Sequence, residues 1–488
     1  MRESHYNGYA RAGQWRTRRR SGPRAAARGY HRAMAWPSPR LPYVQRRHRV
    51  GLLSLRLWAR RLLFWGGAVG VGLAATAFAL ASDEAHVLFS QVLAVSPWLP
   101  LLVTPLTFAG VAALTQRYFK GAEGSGIPQT IAAIRMPDDR DRDAVLSLRL
   151  AAGKMVLTCI ALAGGASVGR EGPTVQVGAA ILYNLRRLIR FPRHLMERGL
   201  IVAGGGAGVA AAFNTPLAGV VFAIEEMARS FEERASGTLL TAVIIAGLAA
   251  IYVQGDYTYF GVTDATLGGA TGWVGVLLCG LAGGILGGGF SRLLLAFSSR
   301  GLPGRAGRFV RAYPVRFAAL CGLLLALIGL ASGSATYGSG YAEARHLLEG
   351  GGEVSASYGV WKMLATFVSF VSGIPGGLFA PSLSAGAGIG QAIANLLSQA
   401  DASALVVIGM AAYFAGVVQA PITAFVIVME MTGNHDMVVP LMLATLLAAG
   451  VSRTICPRPL YKALADNYLA RARAATPEPE NKKGPTSP

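Results

Sequence analysis

Long apolar runs, separated by short polar or glycine-rich breaks, cover most of this sequence. The first run, Leu62–Ala81, carries no charge and is long enough to cross the hydrocarbon core of a membrane. We expect it to end at Asp83 and Glu84, and we expect the next run to cover Pro97–Leu114. Further apolar segments follow at Leu150–Val168, Gly199–Ala223, Gly237–Val253, Gly272–Phe297, Val315–Ala331, Val360–Val371, Leu378–Leu397, Ala404–Met429 and Met437–Val451. The pattern predicts an all-α polytopic membrane protein.

Several of these segments are too short, or too often interrupted by glycine, to cross a membrane alone. A helix that stops halfway is tolerated only where its freed backbone groups are buried in protein or line a wet cavity. The uneven lengths therefore predict broken, half-spanning helices around a channel-like or transporter-like interior.

Composition supports a membrane protein and adds a strongly basic N-terminal arm. The chain has 488 residues, 52% hydrophobic and 15% charged, which is too apolar for a soluble protein of this size. Its formal charge of +21 is concentrated in residues 1–61, which hold sixteen Arg and one acid, Glu3. Ahead of a first span, such an arm fits the positive-inside rule and contact with anionic lipid better than nucleic-acid binding. The C-terminal edge carries Arg453, Arg458, Lys462, Arg471 and Arg473, so we expect both termini in the cytoplasm.

The segment Gly169–Pro173 (GREGP) places an arginine and a glutamate among some of the most apolar sequence in the chain. Ionisable groups at membrane depth are costly and usually face an interior path or a partner, so Glu171 is a candidate functional residue. The glycines permit a sharp entry into a helix, and Pro173 suits a first helical turn. The N-terminus of such a broken helix carries free N–H groups and partial positive charge, which favour an anion. The alternative is a loop at the membrane surface with both side chains solvated.

Two elements recur in the same order along the chain. Val202–Met227 aligns with Val407–Thr432, and their matched Gly, Pro and Glu residues share an offset of 205. Gly169–Gly178 aligns with Gly377–Gly386 at an offset of 208. This recurrence indicates a duplicated transporter fold with a binding site between its halves. Chance similarity between glycine-rich apolar helices is the alternative, and the alignment does not give the relative orientation of the two halves.

Three glycine-rich motifs resemble the anion-site motifs of the CLC family of chloride channels and proton–chloride antiporters. They are Gly124–Pro128 (GSGIP), Gly169–Pro173 (GREGP) and Gly377–Pro381 (GLFAP), and Pro459–Tyr461 (PLY) resembles a fourth signature. The resemblance covers about Leu62 to Leu469. It implies an all-helical inverted-repeat subunit that forms a homodimer in the cell (inner) membrane. The expected domains are an Arg-rich cytoplasmic arm at 1–61, a transmembrane transport domain at 62–469 and a disordered cytoplasmic tail at 470–488.

Positions within these motifs imply individual roles. The residues implied in anion binding are Ser125, Tyr461, Leu378, Phe379, Arg170 and Glu171. By resemblance, the hydroxyls of Ser125 and Tyr461 and the backbone N–H groups of Leu378 and Phe379 would hold a central chloride. The amides of Arg170 and Glu171 would serve the outer positions. Glu171 would also be the movable gate and external proton acceptor, since an ionised carboxylate can replace an anion at the same donors.

Two further residues bear on the type of transport. Glu226 lies 55 residues after Glu171, where proton-coupled members of the family carry an inner glutamate that relays protons. A solvated helix end is the alternative for Glu226, and a structural hydrogen bond, with Glu430 as its twin, is the alternative for neighbouring Glu225. Lys154 resembles the family's buried lysine, which would raise the positive potential felt by anions. Gln129 stands where an acid commonly follows the first motif, which would leave Lys154 without that partner.

Three functions compete on the sequence alone. Proton-coupled chloride antiport is favoured by the presence of Glu226, and passive voltage- or pH-gated chloride conduction is the alternative within transport. An intramembrane enzyme would need a base for a nucleophile such as Ser125, yet the seven histidines fall in tails or beside charged and polar loops. No HExxH motif, P-loop or paired aspartate motif is present. We therefore expect no catalytic residue, no metal and no cofactor, with chloride and protons as the substrates.

Overall fold

The computed structural model describes residues 55–188, 195–228, 233–255, 258–300, 304–350, 355–397 and 401–475. These residues form helices, connecting turns and two isolated backbone bridges. Apart from the short gaps between these ranges, they cover the predicted transport domain, 62–469. The predicted lipid contacts of residues 1–54 and the predicted disorder of residues 476–488 lie outside the described residues.

Among its described residues, the first half of the transport domain contains nine α-helices and ends near residue 254. They are α1 Leu55–Val95, α2 Pro100–Tyr118, α3 Ile127–Arg135, α4 Asp139–Leu146, α5 Leu148–Ala163, α6 Glu171–Asn184, α7 Leu195–Phe213, α8 Pro216–Phe222 and α9 Glu233–Gln254. A single π-helical turn, Ala223–Ala228, extends α8.

The second half begins with a long helix at residue 269. Its helices are α10 Gly269–Arg300, α11 Gly304–Ala312, α12 Pro314–Ala331, α13 Tyr341–Leu348, α14 Tyr358–Val371, α15 Phe379–Leu396, α16 Ala402–Val418, α17 Pro421–Thr432, α18 Val438–Ile455 and α19 Leu460–Ala475.

Six stretches of the described chain are long and apolar enough to cross a membrane. They are Trp58–Val95, Asp139–Ala163, Gly237–Gln254, Gly269–Ser298, Pro314–Ala331 and Val438–Ile455. Other helices are far too short: the nine residues of α3 rise about 14 Å, less than half of a hydrocarbon core of roughly 30 Å. Seven of those nine residues are buried, as a half-spanning helix requires. The prediction of broken helices around an interior is confirmed.

Helix α1 does not end at Asp83 and Glu84, so that expectation was wrong. The helix continues to Val95 and stops before the Ser96-Pro97 pair, where proline disfavours helical geometry in the preceding residue. Charged side chains do not break a helix by themselves, and the Asp83 carboxylate is bound by Arg170. The second run also begins later than expected, at Pro100.

Two predicted single segments are each divided in the structure. Gly199–Ala223 is split between α7 and α8, and Ala404–Met429 is split between α16 and α17. Both breaks have the same cause. A proline starts the second helix, and two residues earlier Asn214 and Gln419 adopt left-handed backbone angles, with φ of 56° and 60°.

Helices at both ends of the described chain run past the predicted limits of the transport domain, 62–469. Helix α1 already begins at Leu55, inside the stretch assigned to the N-terminal arm. Helix α19 continues to Ala475 and so includes residues 470–475, which had been placed in the disordered tail. Residues 470–475 are alanine- and arginine-rich, and both are strong helix formers.

Backbone contacts between the two halves establish the repeat and its orientation. Gly169 and Gly377, which are 208 residues apart, exchange two hydrogen bonds: Gly169 N–H to Gly377 O at 2.8 Å and Gly377 N–H to Gly169 O at 2.6 Å. The corresponding helix pairs, α6 with α7 and α15 with α16, also pack closely at matching glycines. An added Cβ on Gly178 would collide with the Gly204 carbonyl oxygen, and one on Gly386 would meet the Gly409 carbonyl oxygen at 2.5 Å.

The glutamates Glu225 and Glu430, twins at the offset of 205, bind reciprocally across the two halves. The Glu225 carboxylate accepts from the N–H groups of Ile422 and Thr423 at 3.2 and 2.7 Å. The Glu430 carboxylate accepts from the N–H groups of Leu217 and Ala218 at 3.1 and 2.6 Å. Each helix therefore ends beside the start of its twin, so the two run antiparallel. This arrangement confirms an inverted repeat and gives Glu225 a structural role.

Removing either capping carboxylate should destabilise the fold. In Glu430→Ala the first N–H groups of α8 lose their acceptors inside the protein, and we expect the free energy of unfolding to fall by about 1–3 kcal/mol. Glu430→Gln keeps one acceptor oxygen and should lose less. Thermal unfolding of the purified variants in detergent measures the difference. Exposed Glu84 on α1 supplies the control, and a Glu430→Ala variant as stable as Glu84→Ala would contradict the role assigned to this pair.

Candidate functional site

Three helix N-termini meet where the glycine-rich motifs lie. The loop before α3 is joined to the loop before α15, because Gly124 N–H donates to Ile374 O and Gly376 N–H donates to Gly124 O, both at 3.2 Å. The pairing of Gly169 with Gly377 adds the start of α6 to this group. The first N–H groups of each helix have no intrahelical acceptor and carry partial positive charge. Their convergence creates a place that favours an anion.

Ser125 and Tyr461 supply two buried hydroxyl groups at this place. The residues are 1% and 0% exposed, and neither hydroxyl has a hydrogen-bond partner among the described residues. The two groups are neighbours, close enough to act on each other without reaching hydrogen-bond geometry. Buried polar groups are normally paired, because leaving one unpaired costs about 1–3 kcal/mol. Two adjacent unpaired donors are the arrangement that a bound anion would satisfy.

The start of α15 lies beside the same hydroxyls. Leu378 precedes the helix, Phe379 is its first residue, and both are buried. The ring of Phe379 lies 6.0 Å from the ring of Tyr461, measured between centroids. A Cβ added to Gly172 would collide with the Ser125 hydroxyl, so this glycine lets α6 approach the same place. The structure thus brings Ser125, Tyr461, Leu378 and Phe379 together, as their motifs predict.

Glu171 is fully buried at the first position of α6. Its Oε1 atom accepts a hydrogen bond from the Tyr259 hydroxyl at 3.4 Å. The backbone N–H groups of Glu171 and Ala380 also face the carboxylate. A carboxylate that faces helix N-terminal amides occupies the kind of position that an inorganic anion could take in its place.

Arg170 directs Nη1 of its guanidinium toward α1. Its Nη1 atom donates to the Ala79 carbonyl at 2.8 Å and to the Asp83 carboxylate at 2.7 Å. The guanidinium is 12% exposed, whereas the Asp83 side chain is 69% exposed. Arg170 therefore fastens the start of α6 to the first helix. Sequence analysis missed this pair because it treated Asp83 as the end of a span.

Glu226 is a second buried acid near Tyr461. It is 3% exposed and belongs to the π-helical turn Ala223–Ala228. The Tyr461 hydroxyl is within electrostatic reach of both Glu226 and Glu171. Isolated π-turns are frequent at functional sites. The adjacent acids thus differ in environment, since Glu225 caps the twin helix and Glu226 approaches the candidate anion site.

Lys154 is fully buried and has a partner that the sequence did not suggest. Its Nζ atom donates to Gln176 Oε1 at 2.7 Å. Gln129 supplies no acid for this lysine, and the neutral amide oxygen of Gln176 binds its ammonium group instead. Gln129 instead braces its own loop, donating to the Glu123 carbonyl at 2.6 Å and accepting from Gly126 N–H at 3.1 Å.

Lys362 is a second buried lysine, which sequence analysis missed. It lies 208 residues after Lys154, and its Nζ atom donates to the carbonyls of Thr336, Tyr337 and Gly338 at 3.0, 3.3 and 2.9 Å. The offset of the repeat would have identified it as the twin of Lys154. Tyr259 was also missed, and a tyrosine in a connecting segment gives no comparable signal.

A cavity of about 630 Å³ reaches Glu171. Its walls include Asp83, His86, Arg170 and Tyr259, contributed by α1, the start of α6 and the segment after α9. The cavity therefore gives the carboxylate an approach route that is lined in part by polar side chains.

The fold and site define a helical membrane transport protein with a candidate anion site among broken helices. The family described as "Voltage gated chloride channel" matches residues 107–453. The chain is 31% identical over 400 residues to the H(+)/Cl(-) exchange transporter ClcA of Yersinia pestis bv. Antiqua (strain Angola), covering 77% of this chain and 80% of that protein. The ClcA protein of Cronobacter sakazakii is also 31% identical, over 397 residues, with coverage of 78% and 82%. The protein belongs to the CLC family, which confirms the resemblance of its motifs.

Solved structures support the same fold. A slow cyanobacterial Cl−/H+ antiporter matches with a TM-score of 0.72 at 23% identity, covering 84% of this chain and 98% of that chain. A CLC-type fluoride/proton antiporter matches with a TM-score of 0.69 at 22% identity, covering 83% and 98%.

Proposed function

We propose that this protein is a proton–chloride antiporter. The observation that carries the proposal is the placement of a buried glutamate, Glu171, against helix N-terminal amides at a site with two unpaired hydroxyls. Relatives that are 31% identical over most of their length are named as H(+)/Cl(-) exchange transporters. Simultaneous measurement of chloride and proton flux in vesicles is the test, and chloride moving down its gradient should drive protons the opposite way.

In this proposal chloride binds between Ser125, Tyr461 and the first amides of α15, those of Leu378 and Phe379. The ionised Glu171 carboxylate competes with chloride for an adjoining set of donors, including the amide of Ala380 that faces it. The amides of Arg170 and Glu171 serve the outer anion positions. Protonation removes the negative charge for which these donors are suited, so the side chain leaves and an anion takes its place.

Proton transfer from the cytoplasm is assigned to Glu226. Its burial and its approach to Tyr461 favour a role at the anion site over that of a solvated helix end. Lys154 contributes positive potential from within the protein, with Gln176 holding its ammonium group. Passive chloride conduction is the alternative, in which Glu171 gates and Glu226 carries no proton. A nucleophilic enzyme is not favoured, because no described base is hydrogen-bonded to the Ser125 hydroxyl.

Removing either central hydroxyl should weaken chloride binding. Each lost hydrogen bond to a charged ligand is worth about 1.5–3 kcal/mol, so Ser125→Ala and Tyr461→Phe should each raise the chloride Kd by about tenfold to a hundredfold. Calorimetric titration with chloride measures the change. Tyr183→Phe is the matched control, because its hydroxyl is also buried and unpaired but lies at the far end of α6. Unchanged affinity in both site variants would place the anion elsewhere.

We further propose a homodimer in the cell (inner) membrane with both termini in the cytoplasm. Outward-facing leucines and isoleucines on α9 and α18 supply apolar surface for lipid or a second subunit. The basic arm would contact anionic lipid, and no nucleic-acid partner or cofactor is proposed, with chloride and protons as the substrates. Subunit counting by single-molecule photobleaching tests the dimer. Reporter fusions at the two ends test the topology, which would be contradicted by opposite sides.

A further inference from the structure

The segment between α9 and α10 is fastened to the second half of the protein. Phe260 N–H donates to the Met431 carbonyl at 2.9 Å, and Thr263 N–H donates to the Thr432 carbonyl at 3.1 Å. These carbonyls belong to the last turn of α17 and would otherwise lack intrahelical donors. The segment is therefore held in place where Tyr259 lines the cavity that reaches Glu171.

Tyr259, next to Phe260 in this segment, is set among aromatic rings. It is 4% exposed, and its ring lies 5.5 Å from Phe213, 5.0 Å from Phe260 and 5.0 Å from Tyr341, all in edge-on geometry. Aromatic pairs at such distances and angles are attractive beyond simple burial. Rings contributed by three separate parts of the chain thus fix the direction of the Tyr259 hydroxyl.

That hydroxyl is directed at the candidate gate. It lies 3.4 Å from Glu171 Oε1, and both groups are buried. A phenol can donate to a carboxylate, and in a poorly hydrated place such a bond favours the ionised acid over the neutral one. Among the described residues, loss of this donor would leave the carboxylate facing only the amides of Glu171 and Ala380.

We propose that Tyr259 is a positioning residue that holds the ionised Glu171 carboxylate in its closed position and thereby sets the pH at which chloride flow begins. The inference rests on the proposed gating function of Glu171. A stronger hold on the ionised gate means that a lower pH is needed to release it. Without the hydroxyl, the gate should open at a higher pH and chloride should compete with it more effectively.

Other charged and titratable groups also surround the gate. Arg170 precedes it in the chain, Tyr461 approaches it from α19, and Asp83 pairs with Arg170 from α1. His86 lines the cavity that reaches Glu171. A change in the pH profile must therefore be traced to Glu171 itself, which requires measurements in a Glu171→Gln background.

The test measures chloride efflux from vesicles across a series of pH values for the wild-type protein and four variants. In Tyr259→Phe the ring remains and the hydroxyl is lost. We expect the pH of half-maximal chloride flow to rise by about one unit. This rise corresponds to the tenfold change in the protonation equilibrium of the gate that loss of one weak charged hydrogen bond would cause. Flow at acid pH should equal that of wild type. Tyr341→Phe is the control, because its hydroxyl is paired with Arg345 rather than Glu171. In Glu171→Gln, adding Tyr259→Phe should change nothing.

Three results would overturn the inference. A wild-type pH profile in Tyr259→Phe, together with a flat profile in Glu171→Gln, would show that the gate works without this hydroxyl. An effect of Tyr259→Phe that persists in the Glu171→Gln background would show that the tyrosine acts elsewhere. Normal pH dependence in Glu171→Gln would refute the gate, and with it any role for Tyr259 in holding it.

Discussion

Replacing Glu171 with glutamine is expected to stop proton movement and leave a chloride flow that no longer depends on pH. The glutamine side chain is close in size to the acid but carries no charge at any pH. It therefore imitates the protonated gate, which does not compete for the anion donors at the start of α15. With no titrating group at this position, protons also lose their outer acceptor.

This variant is tested in reconstituted vesicles under a chloride gradient at several pH values. Proton flux should fall to the leak of protein-free vesicles, while chloride flux should persist with a flat pH profile. Glu84→Gln is the control, because Glu84 is exposed on α1 and lies outside the site. A Glu171→Gln protein that still moves protons would remove this residue from the proton path.

Glu226→Gln should also stop proton movement but should leave chloride flow dependent on pH. The difference arises because the outer gate, Glu171, still titrates in this variant, whereas the supply of protons from the cytoplasm is lost. The two substitutions therefore separate gating from proton supply, although each removes a single buried carboxylate.

Glu225→Gln is the matched control for this experiment. Glu225 adjoins Glu226 in the chain, but its carboxylate is bound to the N–H groups of Ile422 and Thr423. We expect the control to lower thermal stability and to keep proton coupling. Coupling lost in Glu225→Gln and kept in Glu226→Gln would reverse the roles assigned to these neighbours.

The sequence predicted which candidate site residues lie together, because short motifs with glycine and proline determine local backbone geometry. Gly172 is an example: no larger residue fits between α6 and the Ser125 hydroxyl, so the motif records a close approach. The repeat was also detectable from matched residues. Its inverted orientation became clear only from the reciprocal capping by Glu225 and Glu430, which is a contact in space.

Helix ends and side-chain partners were predicted less well. Apolar runs do not show where a helix turns within the membrane, and the prolines at 216 and 421 divided two segments that hydropathy alone had joined. The partners of Arg170, Lys154 and Glu171 come from distant parts of the chain: Asp83, Gln176 and Tyr259. No local pattern links such residues, because only the packing of the folded chain brings them together.

Coupled flux in the wild-type protein tests the central claim most directly. Vesicles containing the protein are given a chloride gradient with no initial pH gradient, the membrane voltage is held at zero with an ionophore, and chloride and luminal pH are followed together. We predict that chloride moving down its gradient drives protons in the opposite direction and builds a pH gradient, which Glu226→Gln abolishes. Chloride movement with no change in luminal pH would contradict antiport and identify a passive channel, with Glu226 as a structural residue.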